Sequence, residues 1–406
     1  MAAFDQVAGQ GAGQTMKLDL RCAGLMLIVG FLATGGSHLA RANQGTFKTK
    51  AKQAILIDGQ SGSILFAQNP DERRPPASMS KLMTLAMIFK GLKSKKLALT
   101  DEVVVSENAW RTGGAPSRTS SMFVPIHKSA TLEQMIRGLV VQSGNDAAIA
   151  IAEKIAGSEV VFAQQMEKEA RRLGLTNSTF GNASGLPHPR QLMSARDLAI
   201  LARHMIYGFP EYYPYFAEPK FQYRKFRFIN RNRLLFMKLG VDGLKTGSTK
   251  EAGYGVVASA VQNGRRLILV LGGLKSKKDR WSEAQRLIKW GFNDFAPFKV
   301  FDAGEVVGQA RVWGGSSFYV PLIGRGDVKV YLPRFPVSQR LRGEVIYTGP
   351  LKPPIQRGDQ IAMLRVTSST GAQGQVPLFA AESVERGGLM RRGLDSLVHL
   401  AFSWLP

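Results

Sequence analysis

Pro75-Pro76-Ala77-Ser78-Met79-Ser80-Lys81-Leu82-Met83-Thr84 is where an extended chain turns into a helix. The prolines suit a loop entering a first helical turn, and from Met79 to Leu92 the apolar residues recur at helical spacing. Working back, Ala54 to Asp58 and Ser63 to Ala67 flank Gly59-Gln60-Ser61-Gly62 and read as strand, turn and strand. Working forward, helical spacing returns over Leu132 to Val141, Ala147 to Ile155 and Phe162 to Leu173. Gly255 to Ala260 and Arg266 to Leu271 are β-rich and separated by Asn263-Gly264, a hairpin signal, and Trp281 to Phe292 closes the series as a helix. A strand hairpin, a helical insert, more strands and a final helix make an α/β (α+β) domain over residues 43–295.

After Pro297 the composition changes. Val328 to Leu332, Gly343 to Tyr347 and Gln360 to Val366 alternate with glycine and proline turns, which predicts a separate all-β domain over residues 296–386. It gathers no catalytic residue types, so a structural or partner-binding role is its default. The tail, residues 387–406, places Met390, Leu394, Leu397, Val398, Ala401 and Leu405 on one helical face, with Arg391, Arg392, Asp395, His399 and Ser403 largely elsewhere and Trp404 near the end. Such a helix fits a membrane interface; docking on the β domain is the alternative.

The chain has 406 residues, 44% hydrophobic, enough for two domains with real cores. Lysine and arginine total 54 against 30 acidic residues, a net charge of +24 that favours an anionic partner. Nucleic acid is set aside because residues 1–42 read as a leader and export signal. Met16 is the expected true start, followed by Lys17 and Arg21, an apolar run from Cys22 to Ala33, and Ala40-Arg41-Ala42 before a mature N-terminus at Asn43. That run is shorter than the ~20 residues a membrane-crossing helix needs. Cys22 is the only cysteine, so the exported chain has no disulfides and cannot be a cysteine hydrolase. His127, His188 and His204 lack metal-ligand spacing, and neither a metal nor a cofactor is expected.

Three short elements carry the chemistry. Ser78 and Lys81, three apart, share a helix face, so a lysine with a depressed pKa could take the serine's proton, and the helix start adds N–H groups for a developing oxyanion. Ser143-Gly144-Asn145 joins two helical runs; Ser143 would relay a proton between Lys81 and a leaving amine, and Asn145 would hold a substrate amide. Lys245-Thr246-Gly247-Ser248 supplies a cation and hydroxyls for a terminal carboxylate, with Gly247 letting an edge strand approach the substrate. Singly, each has a plain reading as a helix cap or strand residue. Asp146, Asp197 and Asp242 read as structural hydrogen-bond partners.

Serine-x-x-lysine, serine-x-asparagine and lysine-threonine-glycine, in that order, form a recognised signature of penicillin-binding proteins and class A β-lactamases. With Pro76 to Thr84, Gln142 to Ala147, Asn232-Arg233-Leu234-Leu235, Gly185-Leu186, Ser194 to Leu198 and Trp290-Gly291-Phe292, the mature chain resembles the low-molecular-mass D-alanyl-D-alanine carboxypeptidases. The resemblance implies an antiparallel sheet with a helical insert, then a small β sandwich and an amphipathic membrane helix. It implies catalysis by Ser78, Lys81 and Ser143, substrate binding by Asn145, Lys245, Thr246, Gly247 and Ser248, and an oxyanion hole from the N–H groups of Ser78 and Ser248. Ser78 would release the last D-alanine of a peptidoglycan stem peptide through an acyl-enzyme that β-lactam antibiotics trap. The setting implied is the periplasmic face of a bacterial inner membrane, with peripheral attachment and a part in peptidoglycan maturation and cell shape. Some members carry histidine where Ser248 stands. A β-lactamase is disfavoured by the lack of an E-x-x-L-N element; an endopeptidase and a non-catalytic peptidoglycan scaffold are the other readings.

Overall fold

A computed structural model describes residues 5–6, 14–20, 47–334, 340–368 and 373–388. The chain divides into two compact units: Phe47–Gln60 with Ile64–Asn293, and Asp294 onward with the N-terminal residues and Ser61–Ser63.

The first unit is built on five antiparallel strands, β1 (Gln53–Asp58), β2 (Ile64–Gln68), β3 (Val241–Thr249), β4 (Gly253–Gln262) and β5 (Arg265–Leu274), in the order β2-β1-β5-β4-β3. Each central strand alternates its side chains between faces, and both faces are apolar. Ile55, Ile57, Val257, Ile268 and Val270 point into a core shared with the helical insert, α1 (Lys81–Lys93), α2 (Asn145–Ala156), α3 (Glu159–Arg172) and α4 (Ala195–Gly208). Ala54, Leu56, Val256, Ala258, Leu267, Leu269 and Leu271 meet α5 (Lys277–Asn293) through Ala284, Leu287 and Ile288 on the other face. The sheet is therefore held between two helical layers. β3 forms its edge, paired on one side only, with Lys245 opposite Val257 and Gly247 opposite Gly255.

The second unit is all β. A seven-stranded antiparallel sheet and the pair Phe295–Phe301 with Val328–Pro333 share one core, in which Phe301, Val328 and Val330 meet Val320, Leu322, Leu364 and Val366. Gln14–Leu20 pairs antiparallel with Leu341–Tyr347. Those residues belong to the segment expected to be a leader. Alternation of Met16, Leu18 and Leu20 with Thr15, Lys17 and Asp19 has the two-residue period of a strand, and a strand is what they form. The expected apolar signal run and the tail helix from Leu389 lie outside the described residues. No described helix is long and apolar enough to cross a membrane.

Candidate active site

Ser78 sits in one 3-10 turn, Ala77–Ser80, that runs directly into α1 at Lys81. Three residues of separation on this tight turn put both side chains on one side: Lys81 Nζ lies 3.1 Å from Ser78 Oγ. The lysine is fully buried. Its other partners are Asn145 Oδ1 at 2.6 Å and, in a short contact, the carbonyl of Ser184. Burial of the ammonium, then the nearby charge of Arg231, lowers its pKa to about 7, against the opposing pull of Asp146 and Glu159. As a neutral amine, Lys81 donates its two N–H groups to Asn145 and Ser184 and turns its lone pair to Ser78. An amine so placed can act as a general base toward the neighbouring hydroxyl.

The second element stands where two helices meet. Thr131 and Gln134 form a capping box that starts Leu132–Arg137; the helix widens into a π turn over Gly138–Gln142 and ends at Ser143, held at φ 64° and ψ 37°. Gly144 then caps α2, which opens with Asn145. Asp146 fixes the junction by accepting from Ser121 Oγ at 2.8 Å and from the N–H groups of Met122 and Val124 at 2.8 and 3.3 Å. Asn145 Nδ2 donates to Thr119 Oγ1 at 2.9 Å, so both ends of its amide are engaged, one of them by Lys81. Ser143 Oγ is buried with no hydrogen-bond partner among the described residues. The left-handed backbone turns it toward the cavity that holds Ser78, a strained placement of the kind found at functional sites. It does not bond Lys81 in this arrangement.

Strand β3 forms the opposite wall. A Cβ on Gly247 would come within 2.7 Å of Pro76 O and 3.1 Å of Met79 N, so only glycine lets this edge lie against the Ser78 turn. On the other side of that turn Gly185, at φ 76°, leaves no room for a Cβ beside Ala77 O. Lys245 is 1% exposed and, among the described residues, its Nζ reaches only Thr246 O, at 3.3 Å. Burial, reinforced by Lys81, Arg231 and Arg280, holds its pKa well below the usual lysine value. An ammonium buried among cations lacks a counter-charge, which an anionic ligand would supply.

The cavity between these walls measures about 910 Å³. Ser78, Ser143, Thr246, Gly247 and Ser248 line it, together with Arg231, Arg233 and Arg280, and no carboxylate does. Arg231 donates to Ser120 Oγ at 2.8 Å. Arg280 lies over the Trp281 ring at 4.2 Å and 3.4 Å from Gly247 O; its Nε is buried with no partner among the described residues, and burial lowers its pKa to about 10. These arginines were not singled out in the sequence. Arg231 stands beside the quoted Asn232-Arg233, and Arg280 beside Trp281, but neither lies in a motif with a local chemical rationale. Asp197 and Asp242 bond Ser178 and Tyr213 respectively, away from this cavity.

A family model described as D-alanyl-D-alanine carboxypeptidase matches residues 39–275, more than half the chain. The chain belongs to the D-alanyl-D-alanine carboxypeptidase family. A second model, for the C-terminal domain of penicillin-binding protein 5, matches residues 295–386. The D-alanyl-D-alanine carboxypeptidase DacC of Escherichia coli is 38% identical over 87% of this chain and 89% of its own. Penicillin-binding protein 5 from Haemophilus influenzae superposes with a TM-score of 0.69 at 35% identity, covering 84% of this chain and 98% of that one. Penicillin-binding protein D2 from Listeria monocytogenes, solved in an ampicillin-bound form, reaches 0.53 at 26% identity over 62% of this chain and all of its own. Within this carboxypeptidase family the first unit is the penicillin-recognising fold and the second the associated β domain.

Proposed function

We propose that this serine-type D-alanyl-D-alanine carboxypeptidase works by an acyl-enzyme on Ser78. Ser78 Oγ attacks the carbonyl that joins the last two D-alanines of a peptidoglycan stem, and neutral Lys81 takes the hydroxyl proton. The oxyanion forms against the N–H groups of Ser78 and Ser248. The C–N bond then breaks, and the leaving amine of the last D-alanine receives a proton passed from Lys81 through Ser143. Water attacks the remaining ester while the same lysine accepts its proton; the bond from the acyl carbon to Ser78 Oγ then breaks, Lys81 returns that proton to Ser78 Oγ, and the shortened stem leaves. Lys245, Thr246 and Arg280 hold the terminal carboxylate, which provides the missing counter-charge. Asn145 holds Lys81 in place through its Oδ1 and offers the N–H that Thr119 does not take to the substrate. Penicillin mimics the acyl-D-alanyl-D-alanine unit and stays on Ser78 because its adduct deacylates slowly.

One observation carries this reading: the 3.1 Å contact between a buried amine and the serine that shares its cavity with a cationic, carboxylate-free wall. The test is D-alanine release from a peptide ending in two D-alanines. Wild type releases it and Ser78→Ala loses at least about 10⁴-fold in rate, within the range for removed serine nucleophiles; full activity in that variant refutes the assignment. We further assign the protein to the periplasmic face of the inner membrane, exported by residues 1–42 and attached through residues 387–406. Truncation after Gly388 should then release it from anionic vesicles, and undiminished binding would contradict the attachment.

A further inference from the structure

Lys81 changes charge as it takes and returns a proton, and it does so fully buried. Once it holds the proton of Ser78 it is an ammonium with Arg231 and Lys245 as cationic neighbours. Two carboxylates oppose them, Asp146 at the start of α2 and Glu159 at the start of α3. Asp146 already accepts from Ser121, Met122 and Val124. Glu159 carries a lighter load.

A helix start favours a negative charge, and Glu159 is the first residue of α3. It is half-buried and lies outside the lining of the catalytic cavity. Its Oε1 accepts the N–H of Ala183 at 2.9 Å. The carbonyl of Ala183 accepts from Thr84 Oγ1 at 2.7 Å, and that of the next residue, Ser184, accepts from Lys81 Nζ. Lys81 and Thr84 are three apart on α1, so Ala183 and Ser184 lie along one side of that helix while Glu159 ties them to α3. Burial raises the pKa of Glu159, the Ala183 N–H pulls it back, and of the nearby charges Glu153, late in α2, raises it and Lys81 lowers it.

We infer that Glu159 is a positioning residue for Lys81: through Ala183 it sets the Ser184 carbonyl against the amine, and its carboxylate steadies the ammonium that forms when the proton of Ser78 arrives. This deepens the proposed carboxypeptidase reading and rests on Lys81 being the base there. Cations crowd the amine, so a carboxylate nearby makes it more basic, and a stronger base takes the serine's proton more readily. The proton moves from Ser78 Oγ to Lys81 Nζ and on through Ser143; Glu159 neither receives nor gives it.

The experiment follows acylation of the full chain by a fluorescent penicillin across pH 5 to 9, in wild type and three variants. Glu159→Gln keeps an oxygen for the Ala183 N–H and removes the charge. An ammonium with one counter-charge fewer loses its proton more easily. The acid limb, centred at about 7 in wild type, should therefore move down by ~0.5 to 1 unit, and the plateau should fall by about threefold or more because the amine is a weaker base. Glu159→Asp keeps the charge and should bring the limb back toward its wild-type place. Glu159→Ala loses both charge and contact, so it should share the displaced limb and lose more of the plateau. Thermal melting and complete labelling at long times show that each variant is folded; if the glutamine variant is not, aspartate against alanine makes the same comparison. A limb that stays in place or rises when the charge is removed overturns the inference even where the plateau falls, since a merely structural loss slows the step without moving its pKa. Ser78 and Lys81 then stand as assigned. A pH-flat wild type overturns Lys81 as the base, and the inference with it.

Discussion

At the scale of single residues, the account turns on Lys81. Its pKa of about 7 makes it a base only once it has lost its proton, so the acylation rate should fall about tenfold per pH unit below 7 and level off above it. Stopped-flow acylation by a fluorescent penicillin across pH 5 to 9 checks this; a flat profile contradicts it. The same burial has a stability consequence. Between about 7 and the ordinary value of 10.5 the unfolded chain holds this proton and the folded chain does not, so stability contributed through Lys81 rises with pH in that window. Lys81→Arg keeps a cation that cannot deprotonate and should lose roughly 10³-fold or more in acylation at pH 7, in the range for a removed base. The pairing of Ser78 with Lys81 was legible because three residues of helical chain fix it locally. The Ser184 carbonyl, Arg231 and Arg280 were not, since they reach the site from loops and a helix start remote in sequence. Ser143 was legible as a residue, but its left-handed backbone and lack of a partner depend on a π turn that apolar spacing does not announce.

At the scale of elements, the deciding contact is that of β3 with the Ser78 turn. Gly247→Ala places a methyl within 2.7 Å of Pro76 O, which must push the strand outward. The variant should lose about 1–3 kcal/mol of stability, the usual cost of overpacking, and about tenfold or more in acylation, because the Ser248 N–H moves with the strand. Urea unfolding and acylation kinetics measure the two effects; wild-type values in both would mean that β3 and the turn are not in close register. The strands themselves were readable from short β-rich runs and the Asn263-Gly264 hairpin, which does join β4 to β5. Sheet order was not. β1 pairs with β5 across more than two hundred residues, Ile55 opposite Val270, and a two-residue period says which face a side chain takes without naming its neighbour. Both faces of this sheet being apolar, alternation could not even mark a solvent side.

At the scale of the whole molecule, two cores with separate memberships predict two unfolding events. One belongs to the sheet and helices around Val270 and Leu269, the other to the β unit around Leu322 and Val366. Calorimetry should resolve two transitions, and covalent penicillin should raise only the one that belongs to the first unit. A single transition, or a shift of both, would contradict that division. The second unit resumes at Asp294, just ahead of the glycine- and proline-punctuated strands that the composition marks after Pro297. The strand at Gln14–Leu20 was not read, because Lys17 was taken together with Arg21 as the positive start of an export signal. The central claim, that Ser78 is the nucleophile in a site assembled with Lys81 and Lys245, is tested most directly by mapping the benzylpenicillin adduct by mass spectrometry. The account predicts one adduct per chain, on the peptide that contains Ser78, and none in Ser78→Ala. An adduct on another residue, or one that persists in Ser78→Ala, would contradict it.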